Sequence, residues 1–223
     1  CDTQNKDHEA AYLTFVQDIQ PHLSPLEDSL NRKIVDSPWA DSFRHANPAN
    51  EIYLRGLKGA VEIFREENIS IQSELATLAQ EYASIQGNMS IEWEGQTITL
   101  QQAGNVLMKT DREKREKVWR LMNQRRSEDS EKLNTLFDQM VTLRHQMALN
   151  AGFENFRDYM FKAMGRYDYN VDACKDFHQS VETTVVPMLK SLMQDRKEKM
   201  KLSTLKPWDT AVDPLGREPL KPF

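Results

Sequence analysis

The sequence predicts a mainly α-helical protein, a multi-helix array with one short β-hairpin near residues 90–100. Two observations support this fold class. Only 8 glycines and 9 prolines interrupt the 223 residues, so long uninterrupted stretches remain. Within these stretches apolar side chains recur at a period of about 3.6 residues, and segments rich in β-branched residues are few. We therefore expect helices everywhere except in the hairpin and the connections.

Four helices are predicted before the hairpin, at about 5–20, 25–36, 47–65 and 69–86. Their limits follow from residues that interrupt helices, because proline lacks a backbone donor and glycine favours helix ends. These residues are Pro21, Pro25, Pro38, Pro48 and Gly87. The first two helices are therefore expected to be separate.

The hairpin is predicted from a change of period. Ile91 and Trp93, then Ile98 and Leu100, alternate with polar residues on either side of Glu94-Gly95. Alternation with a period of two is typical of half-buried strands, and a two-residue turn containing glycine joins them. We expect strands near 90–93 and 97–100.

The helices expected after the hairpin lie at about 101–108, 111–126, 129–151 and 171–200. In the third of them, apolar residues from Leu133 to Ala151 form one stripe that belongs in the core, and Gly152 ends the helix. The fourth is expected to bend near Pro187. On the second, opposite charges four residues apart predict the pairs Asp111/Arg115 and Glu116/Arg120.

The last segment has a different composition. From Leu205 to Phe223, four prolines and one glycine predict an extended connector. Two parts are therefore expected: a helical front portion, 1–204, with the hairpin at about 89–100, and the connector, 205–223. The chain begins with Cys1 rather than Met, and residues 219–223 look like mid-chain sequence, so we expect a fragment of a longer protein.

Composition disfavours several classes of partner. Lys plus Arg number 29 against 34 Asp plus Glu, a net charge of −5, which argues against nucleic acid. No apolar run approaches the roughly 20 residues that span a bilayer, so no membrane partner is expected. Cys1 and Cys174 form neither a disulfide framework nor a Cys-x-x-Cys pair, which indicates a reducing, cytoplasmic compartment.

Metal ligands at the usual spacing are missing from the sequence. No two of the five histidines lie within one helical turn. Cys174, His178 and Glu182 are four residues apart and share one helix face, which would suit a metal, but they coincide with an apolar stripe, and simple packing is the preferred interpretation. We predict no metal ligand and no catalytic residue in this chain.

Three residues stand out as candidates for recognition. Arg144 lies within the apolar stripe, where a guanidinium needs a partner, and Asp158 or Asp168 is expected to supply it. Arg166 and Tyr169 belong to a cluster expected in a loop between two helices, from which both can donate directional hydrogen bonds. The alternative for all three is a structural role, an ion pair or loop packing.

Short motifs in a fixed order run through most of the chain. They are CysAspThr (1–3), GluIlePheArgGluGluAsn (62–68), GlnGly (86–87), LeuGlnGlnAla (100–103), ArgGluLys (115–117), LeuArgHisGlnMetAla (143–148), AlaGlyPhe (151–153), ArgAspTyr (157–159), ArgTyrAspTyr (166–169), ValValPro (185–187), TrpAsp (208–209) and ProLeuLysProPhe (219–223). Together they make the chain resemble the oligoendopeptidase F-like branch of the thimet oligopeptidase family of zinc metallopeptidases.

The resemblance implies the front, non-catalytic portion of a zinc metalloendopeptidase that hydrolyses short unstructured peptides. In such enzymes zinc, held by a His-Glu-x-x-His helix, polarises the scissile carbonyl and activates water. The resemblance therefore implies zinc in the full-length enzyme, with ligands outside this chain, and a missing catalytic portion as the partner. This chain would form one wall of the substrate channel, with Arg166, Tyr169 and Arg144 at the channel or at the seam with that portion.

Two further expectations follow from this reading. Alone, the chain should hydrolyse no peptide, and it should expose apolar surface around Met160, Phe161 and the segment from Trp208 to Phe223. The alternative is a standalone helical module that binds another protein through exposed helix faces and has no catalytic activity.

Overall fold

The computed structural model describes residues 5–219. The helices, in chain order, are α1 (Lys6–Thr14), α2 (Gln20–Val35), α3 (Ala40–Ala46), α4 (Pro48–Ile63), α5 (Glu67–Gly87), α6 (Leu100–Gly104), α7 (Arg112–Glu128), α8 (Ser130–Asn150), α9 (Phe156–Ala163), α10 (Val171–Ser180) and α11 (Val186–Lys199). Short 3₁₀ turns lie at Val106–Met108 and Pro207–Asp209. Among residues 5–219 the strands are β1 (Ser90–Trp93) and β2 (Gln96–Thr99). The predicted mainly α fold class is confirmed.

The first helix does not break at the prolines. A π-helical segment, Phe15–Ile19, joins α1 to α2, and Pro25 lies inside α2, so the predicted end at 20 is wrong. In the π segment the Gln20 N–H donates to the Phe15 carbonyl. The next carbonyl, that of Val16, would face Pro21, which has no N–H; instead it accepts a hydrogen bond from Ser73 Oγ at 2.8 Å. The helix therefore continues because a distant side chain replaces the missing donor.

The same arrangement recurs near the end of the chain. The predicted helix 171–200 is observed as α10 and α11, joined by a second π segment, Val181–Val185. Pro187 again follows two residues after the π segment. Proline is tolerated here because it occupies the first turn of α11.

The hairpin has the predicted geometry. Ile91 pairs with Ile98 across the antiparallel strands, and Glu94 and Gly95 have φ values of 49° and 80°. Positive φ at both turn residues is the condition for the type I′ turn, which matches the twist of the strands. Two helices were missed: α3 and α9, of 7 and 8 residues, are too short for the period of their apolar residues to identify them.

The chain divides into two compact units. Unit 1 comprises Cys1–Ser84 and Leu133–Asn170, and unit 2 comprises Ile85–Lys132 and Val171–Phe223. The predicted boundary between a front portion and a connector at 204/205 stays a prediction. Within residues 5–219, each helix is either too short or too polar to span a bilayer.

Each unit has its own apolar core. In unit 1 it is formed by Met147, Ala148, Ala151 and Tyr159, and in unit 2 by Ile91, Ala103, Val118 and Met122. The stripe on α8 is buried only in part. Leu136 and Met140 are buried, but Phe137 is 59% exposed and Val141 46% exposed, so the expectation of a wholly buried stripe is wrong. Gly152 ends the helix as predicted, with φ of 85° and the Phe153 N–H bonded to the Ala148 carbonyl.

Candidate functional site

The most complete polar cluster in the described chain surrounds Asp209 in unit 2. Its carboxylate is fully buried. Arg112 binds it with two hydrogen bonds, Nε to Oδ1 at 2.9 Å and Nη2 to Oδ2 at 2.8 Å. Arg115 Nη2 donates to Oδ1 at 3.1 Å, and the Lys206 N–H donates to Oδ2 at 3.0 Å. Four donors therefore hold one carboxylate, which satisfies the condition for burying a charge.

Arg115 is buried as deeply as its partner. Its side chain is 2% exposed. The remaining donors bind main-chain carbonyls, Nε that of Trp208 at 2.8 Å and Nη1 those of Lys109 and Thr110 at 2.9 and 2.8 Å. The predicted pairing of Arg115 with Asp111 is therefore wrong, whereas Glu116 and Arg120 pair as expected, at 2.7 Å. Asp111 instead caps α7, where its Oδ1 accepts from the Lys114 N–H.

Two opposing effects set the pKa of Asp209. Burial alone would raise the pKa of this carboxyl group, because it disfavours the charged form. The hydrogen bonds from Arg112, the Lys206 backbone and Arg115 outweigh burial and hold the pKa below its ordinary value. A carboxylate that is ionised, enclosed and bonded to four donors is a poor general base. Its chemistry is structural.

The cluster fixes the segment after α11 onto α7. Trp208 is 5% exposed, its ring lies 5.4 Å from that of Trp119, and the Arg120 guanidinium lies 5.2 Å from its centroid. Arg196 donates from Nε to the Asp209 carbonyl at 2.8 Å and from Nη2 to that of Val212, which is also buried. The expected exposed apolar surface is therefore wrong at Trp208, whereas Leu215 in the same segment is 62% exposed, as expected. Residues 220–223 of that predicted surface lie outside the described residues.

In unit 1 the structure brings two of the three predicted recognition residues together. The Arg166 guanidinium lies 5.3 Å from the centroid of the Phe161 ring, and the Tyr169 ring meets the same ring edge-on at 6.0 Å. The Arg166 N–H also donates to the Phe161 carbonyl at 2.9 Å. Both residues follow α9, as a loop position requires. Phe161 is thus half-buried by its neighbours, and Met160 packs on the unit 1 core, so the expected exposed surface at these two residues is wrong.

Arg144 lies apart from that group. It is half-buried on α8, with its guanidinium 5.9 Å from the Phe156 ring. The carboxylates expected to bind it are held by others. Asp158 accepts from Arg157 Nε at 2.7 Å, and Asp168 accepts from Arg55 at 2.9 and 3.3 Å. The predicted partners of Arg144 are therefore wrong, and its observed contact is a cation–π contact.

The pKa of Asp158 is lowered by residues close to it in the chain. Hydrogen bonds from Arg157 and then from Asn155 lower the pKa of this carboxyl group. Asn155 is the N-cap of α9, and its Oδ1 accepts from the Asp158 N–H at 3.0 Å. The ArgAspTyr motif thus begins a short helix rather than forming a catalytic constellation.

Residues 5–219 do not bring together the side chains that a zinc site needs. They contain no group of three or more His, Cys, Asp or Glu side chains that could hold a metal ion. Cys174 is half-buried, and His178 and Glu182 are exposed on the helical stretch that follows it. The described residues do not fit a zinc site.

Comparisons with known proteins identify relatives of this chain. The family model of peptidase family M3 matches residues 106–220, the part of the chain that contains α7 and the Asp209 cluster. A comparison with curated proteins gives no match.

Three similar solved structures share the fold over 96% of this chain. One, described as an oligoendopeptidase F, is 22% identical with a TM-score of 0.90. A second, described as an oligoendopeptidase F from Bacillus anthracis str. Ames, is 19% identical with a TM-score of 0.89. The third, PZ peptidase A with an inhibitor, is 24% identical with a TM-score of 0.90. This chain spans only 38%, 39% and 38% of their respective lengths.

Proposed function

The chain belongs to peptidase family M3, and from this membership we propose that it forms the helical front part of a zinc metalloendopeptidase, an oligoendopeptidase that hydrolyses short unstructured peptides. The observation that carries the proposal is the family match over residues 106–220. The shared fold with structures described as oligoendopeptidase F supports it. Because the chain spans 38% of one such structure, we assign the zinc ligands and the catalytic base to residues outside this sequence.

Zinc, when bound in the whole enzyme, would polarise the scissile carbonyl and activate water. The residues of this chain would instead position the peptide and exclude water as one wall of the substrate channel. Such a role suits helices that are packed into compact units, because small misplacements of a bound substrate can cost about a hundredfold in rate. This chain alone is expected to hydrolyse no peptide.

Arg166 and Tyr169 are the residues that we propose for the channel or for the seam with the catalytic portion. Both are held by Phe161, yet Tyr169 remains 49% exposed and can contact a further group. Arg144 is the third candidate, half-buried on α8 with its guanidinium against Phe156. The three are positioned by aromatic contacts rather than by carboxylates, which leaves their donors available to a peptide.

An exposed apolar face supports the need for a further polypeptide. Along α1, the π segment and α2, six large apolar side chains recur every three or four residues and are 43–67% exposed: Tyr12, Phe15, Ile19, Leu23, Leu26 and Leu30. A stripe of this length on one helix face is typical of an interface. We propose that the catalytic portion of the same protein covers it. The same face is what a standalone interaction module would use, so this module remains the second candidate.

A cytoplasmic location also belongs to the proposal. Its support is the cysteine usage, since Cys1 and Cys174 form no recognisable disulfide framework. The net charge of −5 argues against nucleic acid as a partner. Short peptides and the catalytic portion are the proposed partners, without a membrane.

The encoding gene, read beyond Phe223, tests the proposal directly. A downstream His-Glu-x-x-His motif is expected, and the full-length product should hydrolyse short peptides and lose this activity when zinc is chelated. In that protein Arg166→Ala and Tyr169→Phe should lower turnover with zinc content unchanged, whereas Arg32→Ala should not. A stop codon directly after Phe223 would instead support the standalone module. Wild-type kinetics of both seam variants would return these residues to loop packing.

A further inference from the structure

Unit 1 contains a basic cavity of about 340 Å³ that involves none of the three predicted recognition residues. Its charged lining residues are four basic and two acidic side chains: Arg44, Arg55, Lys58, Lys162, Glu51 and Glu62. Asp41 and Asp168 pair with Arg44 and Arg55 from outside this lining, and Lys162 pairs with Glu62, so Lys58 is the basic lining residue whose charge stays unpaired within the described part of the chain. An unpaired ammonium group beside a concave site favours an anionic ligand.

The two arginines are oriented by carboxylates but are not fully satisfied. Arg55 places Nη1 and Nη2 on Asp168 at 2.9 and 3.3 Å, and Arg44 places Nη2 on Asp41 at 3.0 Å. In both, Nε is buried and has no hydrogen-bond acceptor among the described residues. Buried donors without an acceptor are rare because desolvation is then uncompensated. Two of them at one cavity indicate that a further acceptor belongs there.

The cavity is also accessible and has a firm wall. The Arg44 and Arg55 side chains are 36% and 41% exposed, so a ligand can approach both guanidinium groups, and a turn of each side chain would bring its buried Nε into contact with that ligand. Tyr167 stacks on Arg55 at 5.0 Å, and its hydroxyl lies against Gly59, where a Cβ would overlap it. A larger residue at position 59 would displace the Tyr167 ring from its place beside the cavity. Arg55 is therefore held by Asp168 on one side and by an aromatic ring on the other.

The basic residues differ in how far their charge is already used. Lys162 pairs with Glu62. Lys58 is exposed and makes no ion pair within the described part of the chain. An ammonium group of this kind can complete a set of donors that the two Nε groups begin, because it offers three rotatable N–H bonds.

We propose that this cavity binds an oxyanion, a carboxylate or a phosphate group, through Nε of Arg44, Nε of Arg55 and the ammonium group of Lys58. A cationic ligand would meet the like charge of Lys58, and a neutral ligand would leave that charge uncompensated. Charge-assisted hydrogen bonds to an anionic oxygen satisfy both arginines at once. The inference uses contacts within unit 1 alone and does not depend on the peptidase proposal. The carboxylate could come from a peptide and the phosphate from solution, and the experiment separates the two sources.

The whole 223-residue chain can be tested by nitrogen-15 NMR of its arginine Nε–Hε groups. Inorganic phosphate is one probe, and N-acetylglycine, which carries a peptide-like carboxylate, is the other. We expect saturable shifts of the Arg44 and Arg55 signals, weakened by added chloride because the site is partly exposed. Saturation with N-acetylglycine alone would assign the site to peptide carboxylates, and saturation with phosphate alone to free phosphate. No saturable shift with either probe would overturn the proposal.

Matched variants distinguish binding at this cavity from a general effect of the protein's charge. Arg44→Lys and Arg55→Lys keep the charge but remove Nε, so each should weaken binding about tenfold. Arg32→Lys, which alters an arginine outside the cavity, should leave binding unchanged; an equal loss there would overturn the site. Lys58→Gln changes an exposed side chain, so folding should be unaffected, and it should weaken binding about threefold. Unchanged binding in Lys58→Gln, together with unshifted Nε signals, would contradict the proposal even if the arginine variants failed to fold.

Discussion

Two arginine–aspartate pairs, one in each unit, use the same chemistry in opposite surroundings. Arg115 and Asp209 of unit 2 are 2% and 0% exposed at their side chains, whereas Arg55 and Asp168 of unit 1 are 41% and 74% exposed. Further groups bind both members of the buried pair: Arg112 donates to the Asp209 carboxylate, and the Trp208 carbonyl accepts from Arg115. The exposed pair leaves Arg55 Nε unused beside a cavity. The buried pair fixes the fold, and the exposed pair orients a donor.

The largest effect should come from breaking the buried pair. Asp209→Asn removes the negative charge that compensates Arg112 and Arg115, of which Arg115 has no access to water. We expect a loss of about 3–5 kcal/mol in the free energy of unfolding, the usual cost of leaving a buried charge unpaired. Urea denaturation of the variant and the wild type measures it.

A control variant in the same unit distinguishes the cost of an unpaired buried charge from the effect of removing an exposed carboxylate. Asp195 pairs with Lys199 on α11, and their side chains are 53% and 47% exposed. Asp195→Asn should therefore change stability by less than about 0.5 kcal/mol. A similar loss in both variants would show that the Asp209 cluster is no more than a surface pair.

The pH dependence sharpens the same contrast. Although burial opposes it, hydrogen bonding from Arg112, Lys206 and Arg115 lowers the pKa of Asp209 in the folded chain. A carboxyl group with a lowered folded pKa contributes stability above its unfolded pKa, about 3.9, and loses that contribution as the pH falls through the folded value. The stability difference between wild type and Asp209→Asn should be constant near neutral pH and shrink below about pH 4. A difference that grows on acidification would contradict the charge assignment.

The sequence predicted what depends on neighbouring residues. The Glu94-Gly95 hairpin follows from residues adjacent in the chain, as does the end of α8 at Gly152. The aromatic contacts that Arg166 and Tyr169 make with Phe161 also join residues only five and eight positions apart. Local spacing therefore identified the longer helices, the hairpin and two residues that the structure brings together, but not the short helices α3 and α9.

What the sequence missed depends on distant partners. Pro21 was expected to end a helix, but Ser73, 57 residues from Val16, supplies the donor that lets the helix continue. Arg115 was assigned to Asp111 one turn away, but it binds Asp209, 94 residues away. Proline rules and i, i+4 rules describe an isolated helix, and a tertiary contact overrides both. TrpAsp (208–209) is one of the motifs that carry the family resemblance, yet nothing in its spacing indicates that Trp208 and Asp209 are buried.

A smaller effect is expected at the wall beside the exposed pair. Gly59→Ala places a Cβ against the Tyr167 hydroxyl, and the Tyr167 ring carbon Cζ would lie 3.0 Å from it. Overpacking of this kind costs about 1–3 kcal/mol. Tyr167→Phe in the same chain should recover part of the loss, because it removes the nearest atom. Thermal unfolding of the single and double variants measures both effects.

Gly56 on the same helix is the matched control. A Cβ there would meet no atom within 4 Å. Gly56→Ala should therefore stabilise the chain by about 0.5–1 kcal/mol, because alanine loses less backbone freedom in a helix. Destabilisation by both substitutions would mean that α4 itself, rather than contact with Tyr167, resists alanine.

The smallest effect is expected from breaking the exposed pair. Asp168→Asn removes a carboxylate that is 74% exposed, so water can replace most of its interaction with Arg55. We expect a change of less than about 1 kcal/mol in the free energy of unfolding, and salt should reduce it further because the pair is screened. Denaturation at low and high salt provides the measurement. Since Arg55 keeps its contact with Tyr167, the variant should fold normally. A loss as large as that of Asp209→Asn would mean that Arg55 is confined as tightly as Arg115, and the contrast between a pair that fixes the fold and a pair that orients a donor would fail.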